Sequence, residues 1–315
     1  MTTEPSAATA RPIAAHGVSL KSTLALDIAA IVICALIWGT TFYAITLQLG
    51  VVDPVVSVAY RFALSAALLF AWCKLCGEKI ALTRRQHLAA IGVGVFLFGF
   101  SYSLVYFAEQ YVVSAVVAVV YASSAFVNLI AFRLAIGVKA RLISWLGAGF
   151  GVAGVALISW SEIASGSASE SAIIGVGCSV LAVLMASAGN VAAQRGEEAG
   201  APVTSLTAWS MAYGAAALAT FAQASGRAWA FEATPAYIGS LLYLSLAGSV
   251  IAFLLYFGLA RRRGYATASY IGAMAPLVAM LVSSVMEGKT WGLIAVVAVA
   301  LVLMGQVLLF RGKRA

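Results

Sequence analysis

Ile31–Thr46, read as IVICALIWGTTFYAIT, decides how the rest of the chain is to be understood. Aliphatic residues run up to Trp38, break at Gly39, Thr40 and Thr41, and resume at Phe42 and Tyr43. The apolar segment around this stretch extends from about Leu24 to Leu49. That is longer than the roughly 20 residues that cross a bilayer as a helix. Hydrocarbon offers no hydrogen-bond partner to the small and hydroxyl-bearing residues at its middle. They are tolerable where that face of the helix looks into a cavity. The stretch therefore predicts a helix that lines a path, with other helices arranged around it.

The rest of the chain has the same character. Of its 315 residues, 63% are hydrophobic and 10% charged, with a mean hydropathy of +1.01. A soluble domain carries about 25% charged residues, so the chain reads as an all-α, polytopic membrane protein. Its length holds about ten spans with short loops. They fall near residues 25–48, 54–76, 87–108, 112–134, 141–160, 172–194, 203–225, 236–260, 265–286 and 290–310. Pro54, Pro202 and Pro235 sit at or just before first turns, where a missing N–H does no harm. Of the six prolines, Pro276 alone falls inside a span. Residues before about Lys21 are polar and lack the apolar core and cleavage site of a signal peptide. Residues 1–23 are accordingly expected to form a disordered tail.

Charge then fixes the expected topology. With the N-terminus in the cytoplasm, 16 of the 19 basic residues lie in inside segments. Only Arg227 and Lys289 lie outside, and Arg61 lies within a span. This bias places both termini in the cytoplasm. It also removes nucleic acid as a partner, because the net charge of +8 is topological.

Motifs for chemistry are missing. There is no HExxH or GxSxG, and the histidines are His16 in the tail and His87 at a helix start. No buried base accompanies the many serines, so an enzyme is not expected, nor a cofactor or metal. Cys73 and Cys76 read as two incidental small residues, and the four cysteines give no disulfide framework. Gly149-x-Gly151-x-x-Gly154 matches a dinucleotide fingerprint as a string, but it lies in an apolar helix and follows no strand. Gly147-x-x-x-Gly151 is better read as a close helix–helix contact.

Two patterns point to a central site. Tyr106-Phe107-Ala108, Ala115 and Tyr121–Ala125 recur as Tyr256-Phe257-Gly258, Ala268 and Tyr270–Pro276, about 150 residues on. Five spans per half would insert the second half in the opposite direction, with a substrate site between the halves. Polar and aromatic residues also repeat at helical spacing: Tyr102 and Tyr106; Tyr121, Ser124 and Asn128; Ser179, Ala186 and Asn190; Ser245, Ser249 and Tyr256. Tyr270, Met274, Gly272 and Pro276 follow in the ninth span, where the last two suggest a hinge. Arg61 is expected either to reach the outer interface or to bond helix-end carbonyls, with substrate contact the lesser reading. No carboxylate falls at mid-membrane: Asp27 is at an inner helix end and Glu109 at an outer one. That favours passage without tight proton coupling.

Taken in order, the motifs resemble those of the drug/metabolite transporter superfamily, in its EamA-type ten-helix branch. Trp38–Ile45 looks like that family's first-helix motif, and Tyr60-Arg61-Phe62 like its second-helix arginine motif. Gly147–Leu157 looks like the glycine-rich helix that closes the first half, and Ala275-Pro276-Leu277 with Glu287-Gly288-Lys289 like the second half's proline and loop glutamate. The first half departs from this, with Ala125 and Gly137-Val138 at those places. Within the family the chain is most similar to bacterial aromatic amino-acid exporters. The resemblance implies two inverted five-helix repeats, 24–160 and 172–310, joined by an outside linker 161–171 and ending in a cytoplasmic tail 311–315. It implies a monomer in the bacterial inner membrane, in contact with lipid, that exports neutral amino acids by alternating access. The expected substrate-binding residues are Trp38, Thr41, Tyr43, Tyr102, Tyr106, Tyr121, Ser124, Asn128, Asn190, Ser249, Tyr270 and Met274. Efflux of drugs or other metabolites, and a non-transporting scaffold, are the competing readings.

Overall fold

The computed structural model describes residues 20–137, 141–164 and 169–311. Among them there is no strand. The helices are α1 (Leu20–Thr46), α2 (Pro54–Leu75), α3 (Arg84–Ala108), α4 (Ser114–Ile136) and α5 (Leu142–Ala164). They continue as α6 (Ser169–Glu198), α7 (Val203–Ala224), α8 (Pro235–Arg263), α9 (Tyr265–Met286) and α10 (Leu293–Arg311). Each corresponds, within a few residues, to one expected stretch, with α6 longer at both ends. Among the described residues, seven of them, α1 to α6 and α8, are long and apolar enough to cross a membrane. α7 is diluted by Thr204, Ser205, Thr207 and Ser210, and the described residues of α9 and α10 include apolar stretches over Met274–Met286 and Leu293–Leu309. The expected tail lies mostly outside the described residues, as does part of the linker.

Local chemistry sets the helix ends. Asp53 caps α2 by accepting from Val55 N at 2.8 Å, with Pro54 in the first turn. Thr83 and Gln86 form a reciprocal capping box at α3. Thr234 caps α8 ahead of Pro235, and Gly137 ends α4 at φ 75°. Three helices are irregular inside. α3 and α8 each widen to π-helix, over Gly94–Ser101 and Leu244–Ile251, and α4 is interrupted at Ala122–Ser123.

Packing follows the small residues. α5 crosses α10 where a Cβ on Gly147 would lie 2.5 Å from the Gly305 carbonyl oxygen, and one on Gly305 equally close to that of Gly147. α1 closes on α9 at Gly39, whose hydrogen faces Val278 and the Ala275 carbonyl. α2 packs along α7, and α6 against α3 and α4. The bundle's outside is aliphatic: Leu134, Leu281 and Leu293 are exposed by 81%, 70% and 79%. Surfaces of that kind suit lipid rather than water.

We call the end of the bundle that holds the start of α1 the near end and the opposite one the far end. At the near end Asp27 bonds Arg262 at 3.3 Å and Arg263 at 2.7 Å. At the far end Asp53 bonds Arg227 at 2.6 Å.

Candidate functional site

A narrow cavity of about 90 Å³ lies among α1, α3, α4, α6, α8 and α9. Trp38, Thr41, Phe42 and Ile45 give it one wall from α1, one turn apart along a single face. Tyr102 and Val105 of α3, Tyr121, Ser124 and Asn128 of α4, Asn190 of α6 and Gly272 of α9 also line it. So do Phe253 and Tyr256 of α8. No Asp, Glu, Lys, Arg or His is among the lining residues.

The polar groups are held by neighbours. Trp38 Nε1–H donates to the Gly248 carbonyl at 3.1 Å, and its ring packs 5.2 Å from Phe253 and 5.3 Å from Tyr256. Thr41 donates to the Trp38 carbonyl at 2.8 Å. The Tyr121 hydroxyl pairs with Ser101 Oγ at 3.1 Å. Asn128 Oδ1 accepts from Ser187 at 2.8 Å and from Asn190 Nδ2 at 3.3 Å. That leaves the Asn128 amino group and the Asn190 carbonyl with no partner of this kind among the described bonds.

Behind the cavity, Arg61 ties α2 to the wide turn of α8. It is fully buried; Nε donates to Ser249 Oγ at 3.0 Å, and the guanidinium stacks 4.7 Å from the Tyr102 ring centre. It does not reach the interface, and the carbonyl groups nearby are served by others. Ser65 and Ser245 donate to the Arg61 carbonyl at 2.7 and 3.2 Å, and Ser249 donates to that of Leu244 at 2.9 Å. Within the widened turn of α8 itself, the Leu244 carbonyl is served by Ser249 and that of Ser245 by Ser65 at 3.2 Å, a condition for irregular backbone in a bilayer.

Several expected site residues stand elsewhere. Tyr43 is two residues past Thr41 and so on the opposite face of α1. Met274 is 39% exposed, because α9 turns Gly272 and Ala275 inward. The Ser249 hydroxyl is taken by Arg61 and Leu244. Tyr106 is fully buried beyond the cavity and donates to Gln48 Oε1 at 2.8 Å. The side chain of Tyr270 lies outside the described residues. Pro276 is buried within α9 and offers no N–H to the Gly272 carbonyl. Phe253 escaped the sequence reading, and Tyr256 was noticed without being assigned to the wall. The stripe drawn at 3.6 residues per turn through Ser245, Ser249 and Tyr256 passes Phe253 by, and the π-helical turn shifts the register of α8 so that Ser249 leaves the face that Tyr256 keeps.

A helical bundle with an aliphatic outside, around a narrow cavity lined by neutral dipoles and rings, has the build of a membrane transporter. The chain belongs to the EamA-like transporter family, which matches residues 26–160 and 173–311. It is 29% identical over 281 residues to the "Uncharacterized inner membrane transporter YedA" of Escherichia coli K12, covering 88% of each chain. It is also 29% identical over 113 residues to "Protein PagO" of Salmonella typhimurium LT2, 36% of this chain and 37% of that one. A solved crystal structure superposes with TM-score 0.68 at 20% identity, covering 94% of this chain and all of the other, which is a likeness of fold.

Proposed function

We propose that this transporter exports neutral amino acids, aromatic or hydrophobic ones preferred, by alternating access. The observation that carries the reading is the cavity wall. Trp38, Tyr102, Tyr121, Phe253 and Tyr256 offer rings to an apolar side chain. The Asn128 amino group would meet a carboxylate; the Asn190 carbonyl and the Gly272 carbonyl released by Pro276 would meet an ammonium. A zwitterion is neutralised by such dipoles without a fixed countercharge, whereas an organic cation would want a carboxylate, and the lining has none.

The same reading takes the bundle as ten spans in two inverted repeats, 24–160 and 172–310, around the cavity. The two family matches support it, since 26–160 and 173–311 fall on those halves. So do the wide turns, which begin at Gly94 and Leu244, and the pairing of α5 with α10 and α2 with α7. The near end is the cytoplasmic one on the strength of the basic residues. The relative's name supports the bacterial inner membrane. Gly272 and Pro276 are the hinge, and the working unit is a monomer.

The test is exchange in proteoliposomes loaded with a mixed pool of amino acids. Selective efflux of phenylalanine, tryptophan or leucine is expected. Flux of a lipophilic drug that the whole pool fails to compete would overturn the substrate class in favour of a drug carrier. No flux of any solute would leave the scaffold reading.

A further inference from the structure

One turn beyond the cavity residues Ile45 and Val105, the far end is plugged by a buried polar layer. Gln48 and Tyr106 are fully buried, and Glu109 is 8% exposed. Among the described residues, neither carboxylate oxygen of Glu109 has a hydrogen-bond partner, nor does Gln48 Nε2, nor either terminal nitrogen of Arg61. Glu109 caps the C-terminus of α3, where the helix dipole disfavours an anion. A second carboxylate stands close by: exposed Glu287, at the end of α9, accepts from buried Ser114 at 2.7 Å. An ionised Glu109 with no partner in such a layer is disfavoured, because burial strips the charge of its hydration.

We infer that Glu109 is a proton-binding site, that its neutral carboxyl is what lets the far end close, and that Glu287 is its link to the water outside. The inference rests on the transport reading above, to which it adds a pH-dependent closure of the far end. The only bond made or broken is the carboxyl O–H; the proton is exchanged with far-side water. Burial lifts the Glu109 carboxyl well above its ordinary value, Glu287 adds to the lift, and Arg61 opposes it. Those are the charged groups that bear on it, with Tyr106 on its own helix. The Asp53–Arg227 pair lies beyond Phe107, and Lys289 lies two residues past Glu287.

The sign follows. An opened, hydrated far end returns Glu109 to near 4.5, so the closed form holds the proton more tightly. Below that value both forms are protonated and pH has no effect. Above it, closure weakens as pH rises, by up to tenfold per unit, until the raised value of the closed form is passed. The proton is taken from far-side water on closing and returned to it on opening, so it sets the balance between the two forms and does not itself drive transport.

The experiment is infrared titration of the full chain in lipid nanodiscs, following the C=O stretch of a protonated carboxyl. A band that persists to neutral pH, lost in E109Q and retained with a shifted midpoint in E287Q, is expected. Thermal melts that match the unaltered chain confirm that E109Q folds. Absence of such a band, or its survival in E109Q, overturns the inference. So does sodium binding, measured with radioactive sodium, that E109Q abolishes while no carboxyl band is present. Amino-acid flux is read separately: a Glu109 band in a chain that moves no amino acid defeats the substrate reading and leaves the proton site standing.

Discussion

Trp38 holds both halves of the cavity wall together. It sits on α1, hydrogen-bonds the wide turn of α8 and packs edge-on to Phe253 and at a tilt to Tyr256. Replacing it by alanine removes a ring worth about 1 kcal/mol per aromatic contact and leaves the Gly248 carbonyl unserved. Trp38→Ala should lower amino-acid flux by roughly tenfold, the rate equivalent of about 1.4 kcal/mol. Initial rates at matched protein per liposome measure it; unchanged flux removes Trp38 from the substrate path. Arg61 behaves differently, because it touches the site only through Tyr102 and Ser249. A buried guanidinium half supplied with partners costs free energy that its stacking must offset. Arg61→Lys places a compact, strongly hydrated ammonium in the same space without the fork or the flat stacking face. It should therefore lower the melting temperature, by an amount equivalent to about 2 kcal/mol, whereas Arg61→Met, which matches the stem, should cost less. Thermal unfolding in one detergent compares the two, and the opposite order would show that charge rather than shape holds α2 to α8.

Among the helices, the crossing of α5 and α10 is the tightest contact made by glycine alone. Gly147→Val forces a branched side chain against the Gly305 backbone and should destabilise by about 1–3 kcal/mol, the cost of overpacking. Gly149→Ala, two residues on, meets nothing within 4 Å and should be neutral. Melting temperatures of the pair check this, and equal values would place the crossing elsewhere. That contact was legible in the sequence, because small residues four apart in an apolar run have few other uses. The helices themselves were legible for the same reason that Ile31–Thr46 was: apolar length between prolines and charges. Their interiors were not. Nothing in GVFLFGFS or LSLAGSVI announces an inserted residue, and each insertion turns the rest of the helix by about 100° relative to a regular count. Phe253 was lost from the expected wall by that rotation, and Ser249, on the expected stripe with Tyr256, was wrongly turned into it. Glu109 was read as an end residue from its position along α3, since burial there depends on Gln48, Ser114 and Arg61 arriving from other elements.

For the molecule as a whole, alternating access requires that the two ends of the cavity open at different times, so each needs its own fastening. The near end has Asp27 between Arg262 and Arg263, linking α1 to α8. The far end has Asp53 with Arg227, linking the start of α2 to the segment before α8. The arginine side chains of these pairs are 27–50% exposed, so each pair is a modest latch of about 1 kcal/mol. A latch of that size cannot lock a state, but it can shift a balanced equilibrium about fivefold. Asp27→Asn should favour forms open at the near end, and Asp53→Asn forms open at the far end. A cysteine placed at Thr41, in a chain whose four native cysteines are changed to serine, reports both through impermeant maleimide added to one side of oriented vesicles. Labelling from the near side should rise in Asp27→Asn and fall in Asp53→Asn, with the converse from the far side. Shifts in the same direction from both sides would mean that the pairs tighten the bundle generally and do not decide which end is open.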